Sequence, residues 1–137
     1  MTKGGAIIII EDNIDDQFIL TEVFRNLEYK NELIFLHDGA EALDFLCSTD
    51  IEPFIILCDI NIPKIDGIAL REKINAGETP KMKCIPYVLY STAVNPDQVI
   101  NAYSLSVQGF FRKEYSYKEL EKTISILMQY WERCVEC

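Results

Sequence analysis

A chain of 137 residues has the length of one domain and is long enough to bury about two-thirds of the surface that its unfolded form exposes. With 49% hydrophobic and 26% charged residues it has the make-up of a globular protein rather than a disordered one, and no apolar run approaches a membrane span. The formal net charge of -9 argues against a nucleic-acid surface, which needs clustered Lys and Arg, and favours metal cations or basic partners.

The start, MTKGGAIIII, is too short in apolar residues and lacks the cleavage site of a signal peptide, so the chain is expected in the cytoplasm. Its continuous β-branched run, Ala6 to Ile10, predicts a strand covered on both faces, as in a parallel sheet, ending at Glu11 and Asp12. Asp15 or Asp16 is expected to cap a helix that carries Ile19, Leu20, Val23, Phe24 and Leu27 at helical spacing. LIFLHDG is a second strand closed by Asp38 and Gly39, and AEALDFL a short helix. FIILCD is the third strand; IALREKINAG is a helix ending at Gly77, a residue suited to a left-handed cap.

The polar segment ETPKMKC is expected as a loop before a fourth strand, IPYVLYS. Pro96 and Asp97 open a helix running to about Ser106, and GFFRK is the fifth strand. A last helix starts near Ser116, with Leu120, Ile124, Leu127, Met128, Trp131 and Val135 on one face. Five strands alternating with five helices predict a single α/β domain over residues 1–137: a three-layer, doubly wound parallel sheet with helices on both faces. In the same reading no residues remain for a separate output domain.

Five cysteines, Cys47, Cys58, Cys84, Cys134 and Cys137, are expected as reduced thiols in such a compartment. Cys134 and Cys137 form a C-x-x-C pair, but a zinc site needs a second pair or two histidines, and His37 is the only histidine. The pair is read as a frayed helix end.

Ligands in open parallel sheets bind beyond the carboxyl ends of the strands. Here those ends carry Glu11 and Asp12, His37 and Asp38, Asp59, Ser91 and Thr92, and Lys113. If the first and third strands are neighbours, Asp12 and Asp59 face each other and need a proton or a cation between them; hard oxygen ligands with an open side suit Mg²⁺. A hydroxyl and an ammonium beside that cation are what a phosphoryl group requires. Asp59, with the Asn61, Pro63, Asp66, Gly67 turn directly after it, is best placed to be a nucleophile that becomes an aspartyl phosphate. Singly, each residue has an ordinary reading as a solvated strand end, a turn cap or a surface lysine. Their arrival at one sheet edge from four strands favours a site.

IIIIEDN, LCDINIPKIDG, IPYVLYSTA and GFFRK, in this order and at these distances, resemble the acid-pair, phosphoacceptor, hydroxyl and lysine segments of the receiver domain of two-component response regulators. The resemblance implies the flavodoxin-like sheet order 2-1-3-4-5. It makes Asp59 the phosphoacceptor and Asp12, with Glu11 through water, the Mg²⁺ (or Mn²⁺) acids, Asn61 adding its backbone carbonyl. Ser91 takes the family's hydroxyl position, Lys113 the phosphoryl-binding lysine, and Phe110 the switch aromatic that moves with Ser91. Asn61 and Thr92 would contact the phosphoryl group through their backbones. The family's lysine is usually followed by a cis proline; Glu114 follows Lys113 here, which leaves the aim of the lysine open.

The loop ETPKMKCIP, the EDNIDD start and the WERCVEC tail are similar to single-domain receivers paired with phytochrome-type sensor kinases. Phe110, Phe111, Tyr103 and Trp131 would be an interaction face in that subgroup, or core. The resemblance implies a sensor histidine kinase or histidine phosphotransfer protein as donor and a downstream protein target, allows a homodimer, and implies neither nucleic acid nor membrane as partner. It makes the chain a signalling protein, not an enzyme beyond its own phosphotransfer and dephosphorylation. A phosphohydrolase would lead with D-x-D at its first strand, whereas Asp59, Ile60, Asn61 lies at the third. A flavin module would carry hydroxyls and glycines where Glu11, Asp12 and Asn13 stand. A pure scaffold would not need both Asp59 and Lys113.

Overall fold

A computed structural model describes residues 1–77, 80–114 and 116–137. Five strands, β1 (Ile7–Ile10), β2 (Leu33–Leu36), β3 (Ile55–Asp59), β4 (Tyr87–Ser91) and β5 (Gly109–Arg112), form one sheet in the order β2-β1-β3-β4-β5. All neighbours are parallel. This is the doubly wound, flavodoxin-like arrangement expected, with the first and third strands side by side. β1, β3 and β4 are buried along their whole length, which is why they read as unbroken apolar runs.

The helices are α1 (Ile14–Asn26), α2 (Gly39–Ser48), α3 (Gly67–Ala76), the short α4 (Pro80–Lys83), α5 (Pro96–Ser104) and α6 (Tyr117–Arg133). Helix α1 packs beside α6, and α3 beside α2 and α5, one group on each face of the sheet. Val23, Phe24, Ile124 and Met128 cover one face; Ala42, Leu46, Leu70 and Ile74 cover the other. No helix among the described residues is long and apolar enough to cross a membrane.

Several local expectations are corrected. Asn13, not Asp15 or Asp16, caps α1, its side chain accepting from the Asp16 amide at 3.0 Å; both aspartates lie in the first turn, where they favour the helix dipole. Gly77 ends α3 with φ -76° and ψ 163°, an extended and not a left-handed cap. Lys81 and Met82, read as loop, belong to α4, whose Met82 reaches the core; Glu78 and Thr79 of that segment lie outside the described residues. Helix α5 stops at Ser104 rather than Ser106. Val135 lies past the end of α6 and is 90% exposed, so it does not continue the apolar face.

The cysteines also differ from expectation. Cys84, before β4, and Cys137, at the end of the tail, are joined as a disulfide with their Cα atoms 6.4 Å apart, while Cys47, Cys58 and Cys134 are free. The bridge ties the tail to the amino-terminal edge of the sheet, opposite the edge where the polar residues collect.

Candidate functional site

Strand register explains the site. Ile10 is level with Cys58, so the chain leaves β1 at Glu11 beside Asp59; Asp59 in turn is level with Tyr90, and Tyr90 with Phe111. Side chains alternate along a strand, so Glu11, Asp59, Tyr90, Phe111 and Lys113 fall on the face covered by α1 and α6. Ser91 and Phe110, one residue out of phase, fall on the other.

On the first face the ammonium of Lys113 donates to Glu11 Oε1 at 2.7 Å, to Asp16 Oδ2 at 2.6 Å and to Asp59 Oδ2 at 3.3 Å. Glu11 is fully buried and Asp59 is 8% exposed, whereas Asp12 is exposed. Carboxylate oxygens of Glu11, Asp12 and Asp59 all lie within 4.8 Å of one another. Three hard oxygen donors at this spacing, one of them open to solvent, fit a divalent cation.

Electrostatics follow from burial. Desolvation pushes the Glu11 carboxyl up to about 7, against the pull of the hydrogen bond and charge of Lys113, and Asp59 adds repulsion. Burial of Lys113 disfavours its charge, but hydrogen bonds to Asp16 and Glu11 outweigh that and hold the ammonium above the ordinary lysine range.

The loop after β3 holds Asp59 in place. The Asn61 amide donates to Asp59 Oδ1 at 2.9 Å, and the Gly67 amide to the carbonyl of Ile60 at 2.9 Å. Asp66 caps α3, its side chain accepting from the Ala69 amide at 2.8 Å. A Cβ on Gly67 would stand 2.8 Å from the carbonyl oxygen of Asp59, so only glycine lets α3 start this close to the strand end.

On the second face Ser91 is buried; its hydroxyl donates to the carbonyl of Ala93 at 2.8 Å, and Asn61 Nδ2 reaches its Oγ at 3.4 Å. Phe110 is half-buried, and Thr92 is exposed next to Ser91. Of the four aromatics read as an interaction face or as core, Tyr103 alone is an exposed side chain, at 52%; Phe110, Phe111 and Trp131 pack against the core. There is no cis peptide among the described residues, so the Lys113–Glu114 bond is trans.

Three contributors escaped the sequence reading of the site. Asp16 was read only as a cap candidate, although the first turn of α1 places it over the acid pair. Tyr90 was read only as a strand residue, yet its hydroxyl donates to Glu11 Oε1 at 3.2 Å; a phenol in a strand expected to be buried, which must find a partner, was the available signal. Gln17 Nε2, one turn into α1, donates to the backbone carbonyl of Glu11 at 2.6 Å and fixes where β1 ends.

A five-stranded 2-1-3-4-5 sheet with an acid cluster and a lysine at its carboxyl edge defines a class, and the sequence matches the profile of that class, the response regulator receiver domain, over residues 7–125. The chain belongs to this family. The response regulator Rcp1 of Synechocystis sp. is 33% identical over 131 residues, spanning 92% of this chain and 88% of that protein. The crystal structure of the phosphorylated cyanobacterial phytochrome response regulator RcpA superposes with a TM-score of 0.84 at 28% identity, covering 93% of this chain and 94% of that one. The Mn²⁺-bound form of Rcp1 superposes with a TM-score of 0.80 at 33% identity, covering 95% and 96%.

Proposed function

We propose that the chain is a single-domain response regulator that accepts a phosphoryl group on Asp59 and signals by phosphorylation-dependent protein contact. The observation that carries the reading is the Lys113 ammonium held among Glu11, Asp16 and Asp59 beside an open acid triad. A donor phosphohistidine, on a sensor histidine kinase or a phosphotransfer protein, presents its phosphorus to an Asp59 carboxylate oxygen. The P–O bond forms as the P–N bond breaks, and the imidazole leaves with the electron pair and takes a proton from solvent.

A divalent cation, Mg²⁺ or Mn²⁺, held by Glu11, Asp12, Asp59 and the carbonyl of Asn61 would neutralise the phosphoryl oxygens. The chain's own groups do the rest. Lys113 gives up carboxylate partners for a phosphoryl oxygen, the backbone amides near Asn61 and Thr92 donate to the others, and the Ser91 hydroxyl exchanges Ala93 for the new anion. Phe110 turns into the space that Ser91 vacates. Beyond its own phosphotransfer and dephosphorylation the protein is no enzyme, and it works in the cytoplasm. The likeness to the phytochrome response regulator RcpA supports a phytochrome-type kinase as donor, with a downstream protein or a second copy of the chain as listener.

Intact mass after treatment with a small phosphodonor tests the reading. One added phosphoryl group is expected in the wild type with Mg²⁺ and none in Asp59→Asn or with chelator. Modification that survives either control would reject it.

A further inference from the structure

We infer that Tyr90 is a positioning residue of the acid site, its hydroxyl holding Glu11 in ligating orientation while Lys113 moves to the phosphoryl group. The inference rests on the proposed function and adds a residue to it. Tyr90 is 2% exposed, on the strand next to Asp59, and its ring stacks on Phe111 with centroids 5.6 Å apart. The ring also lies beneath the Lys113 ammonium, 5.1 Å from it, and the hydroxyl shares Glu11 Oε1 with that ammonium.

The sharing matters for the reaction. At 3.2 Å the hydroxyl is a second, longer donor to an oxygen already taken by Lys113 at 2.7 Å. When a divalent cation enters among the acids and repels the ammonium, or the lysine transfers to a phosphoryl oxygen, Glu11 Oε1 is left buried with Tyr90 as its remaining side-chain donor. Glu11 Oε2 has the Asn13 amide at 3.3 Å. Without the phenol, a fully buried carboxylate would lose the bond that fixes its rotation, and ligands so released bind metal more weakly. Packing alone does not fix the ring: with Ile19, Leu20, Leu57, Phe111 and Leu120 it lines a cavity of about 90 Å³ between α1 and α6. The phenol therefore keeps Glu11 in register with Asp59 after the ammonium has left.

The test compares wild type, Tyr90→Phe and Phe111→Leu, each checked for native fold by amide NMR. Mn²⁺ affinity is read from the free-ion EPR signal, without any phosphodonor. Tyr90→Phe is expected to weaken Mn²⁺ binding about tenfold, as loss of a carboxylate's supporting hydrogen bond does elsewhere. Phe111→Leu, which removes the stack but not the hydroxyl, should bind as wild type. With phosphoramidate, half-saturating Mg²⁺ should rise in Tyr90→Phe by the same factor while the rate at saturating Mg²⁺ is kept. Equal affinity in wild type and Tyr90→Phe, or an equal loss in Phe111→Leu, overturns the inference and leaves the phosphoacceptor reading intact; absence of Mn²⁺ binding by wild type overturns both. In the wild type alone, the Tyr90 Cζ resonance of ¹³C-tyrosine protein should shift as Mg²⁺ binds. A fixed resonance, even if Tyr90→Phe does not fold, counts against the proposal.

Discussion

Metal-free protein should become more stable as pH falls from about 7 toward 5, the reverse of ordinary acid denaturation, because the Glu11 carboxyl is raised to about 7 from 4.5. The sign follows from linkage: between those values the native state holds a proton that the unfolded chain has already lost, so acid favours the native state. Above pH 7 the full cost of the buried charge is present. Below 4.5 both states are protonated and the contribution is constant. At about 1.4 kcal/mol per tenfold change in proton binding, the charge costs on the order of 3 kcal/mol. For a domain of this size that is roughly 10 °C in Tm.

The assay is thermal melting in chelator from pH 8 to pH 5, with Glu11→Gln as reference, since the amide keeps the shape and removes the charge. The variant should be the more stable protein at pH 8 without metal, and the two curves should converge near pH 5. Mg²⁺ at pH 8 should stabilise wild type by about 1.4 kcal/mol per tenfold excess over its dissociation constant and flatten its pH profile, the cation replacing the proton. Sodium at matched ionic strength should not. Parallel pH profiles for wild type and Glu11→Gln would refute the argument that the buried Glu11 charge is costly, and an undiminished Mg²⁺ effect in Asp12→Ala would remove Asp12 from the cation site.

Ser91→Ala should still accept a phosphoryl group on Asp59 but lose most of the phosphorylation response of amides around Phe110, a coupling on the order of 1–3 kcal/mol; a full response sends the signal by another route. A reductant should lower Tm by breaking Cys84–Cys137, which spans 53 residues of sequence and constrains the unfolded chain by up to about 4 kcal/mol; Cys84→Ser should already be low and indifferent to reductant. Arg71, 2% exposed, donates to the carbonyls of Leu105 and Ser106 at 3.2 and 2.9 Å, so Arg71→Ala is expected to cost about 2–4 kcal/mol in denaturant melts. A change within error would show that those carbonyls find other donors.

The inner strands and their edge were legible because burial on both faces forces continuous apolar runs, and those of β1 and β3 stop at the residue that must meet water or ligand, Glu11 and Asp59. Where several residues compete for one local task, the chain does not say which wins. Asn13, Asp15 and Asp16 can each cap a helix, and the choice of Asn13 frees Asp16 to meet Lys113, a contact between residues 97 apart in sequence. Long-range pairings leave no local trace. Tyr90 on Glu11, Arg71 on the end of α5, and Cys84 with Cys137 depend on elements brought together only by the finished fold. The turn at Pro80–Lys83 was hidden for the opposite reason: its lysines look like loop, and only Met82 beneath it shows that the segment has a buried side.

Alternation in the sheet puts the proposed chemistry and its readout on opposite faces, and this limits how the two communicate. Glu11, Asp59, Tyr90 and Lys113 lie under α1 and α6; Ser91 and Phe110 lie under α3 and α5. The strand ends are where the two sets meet, at the 3.4 Å approach of Asn61 Nδ2 to Ser91 Oγ. In the unphosphorylated protein Ser91 is held by the Ala93 carbonyl, a neutral hydrogen bond contributing about 1 kcal/mol. A phosphoryl oxygen is a charged acceptor, with hydrogen bonds roughly twice as strong, so the hydroxyl gains by changing partner, though only by a small margin. Phe110 has no hydroxyl to add a second hydrogen bond to either state. In the proposed switch the two positions of its ring would therefore differ mainly in buried area. So close a balance in the proposed switch means that phosphorylation would bias Phe110 rather than lock it, and a partner docking near Phe110 would supply a comparable part of the shift.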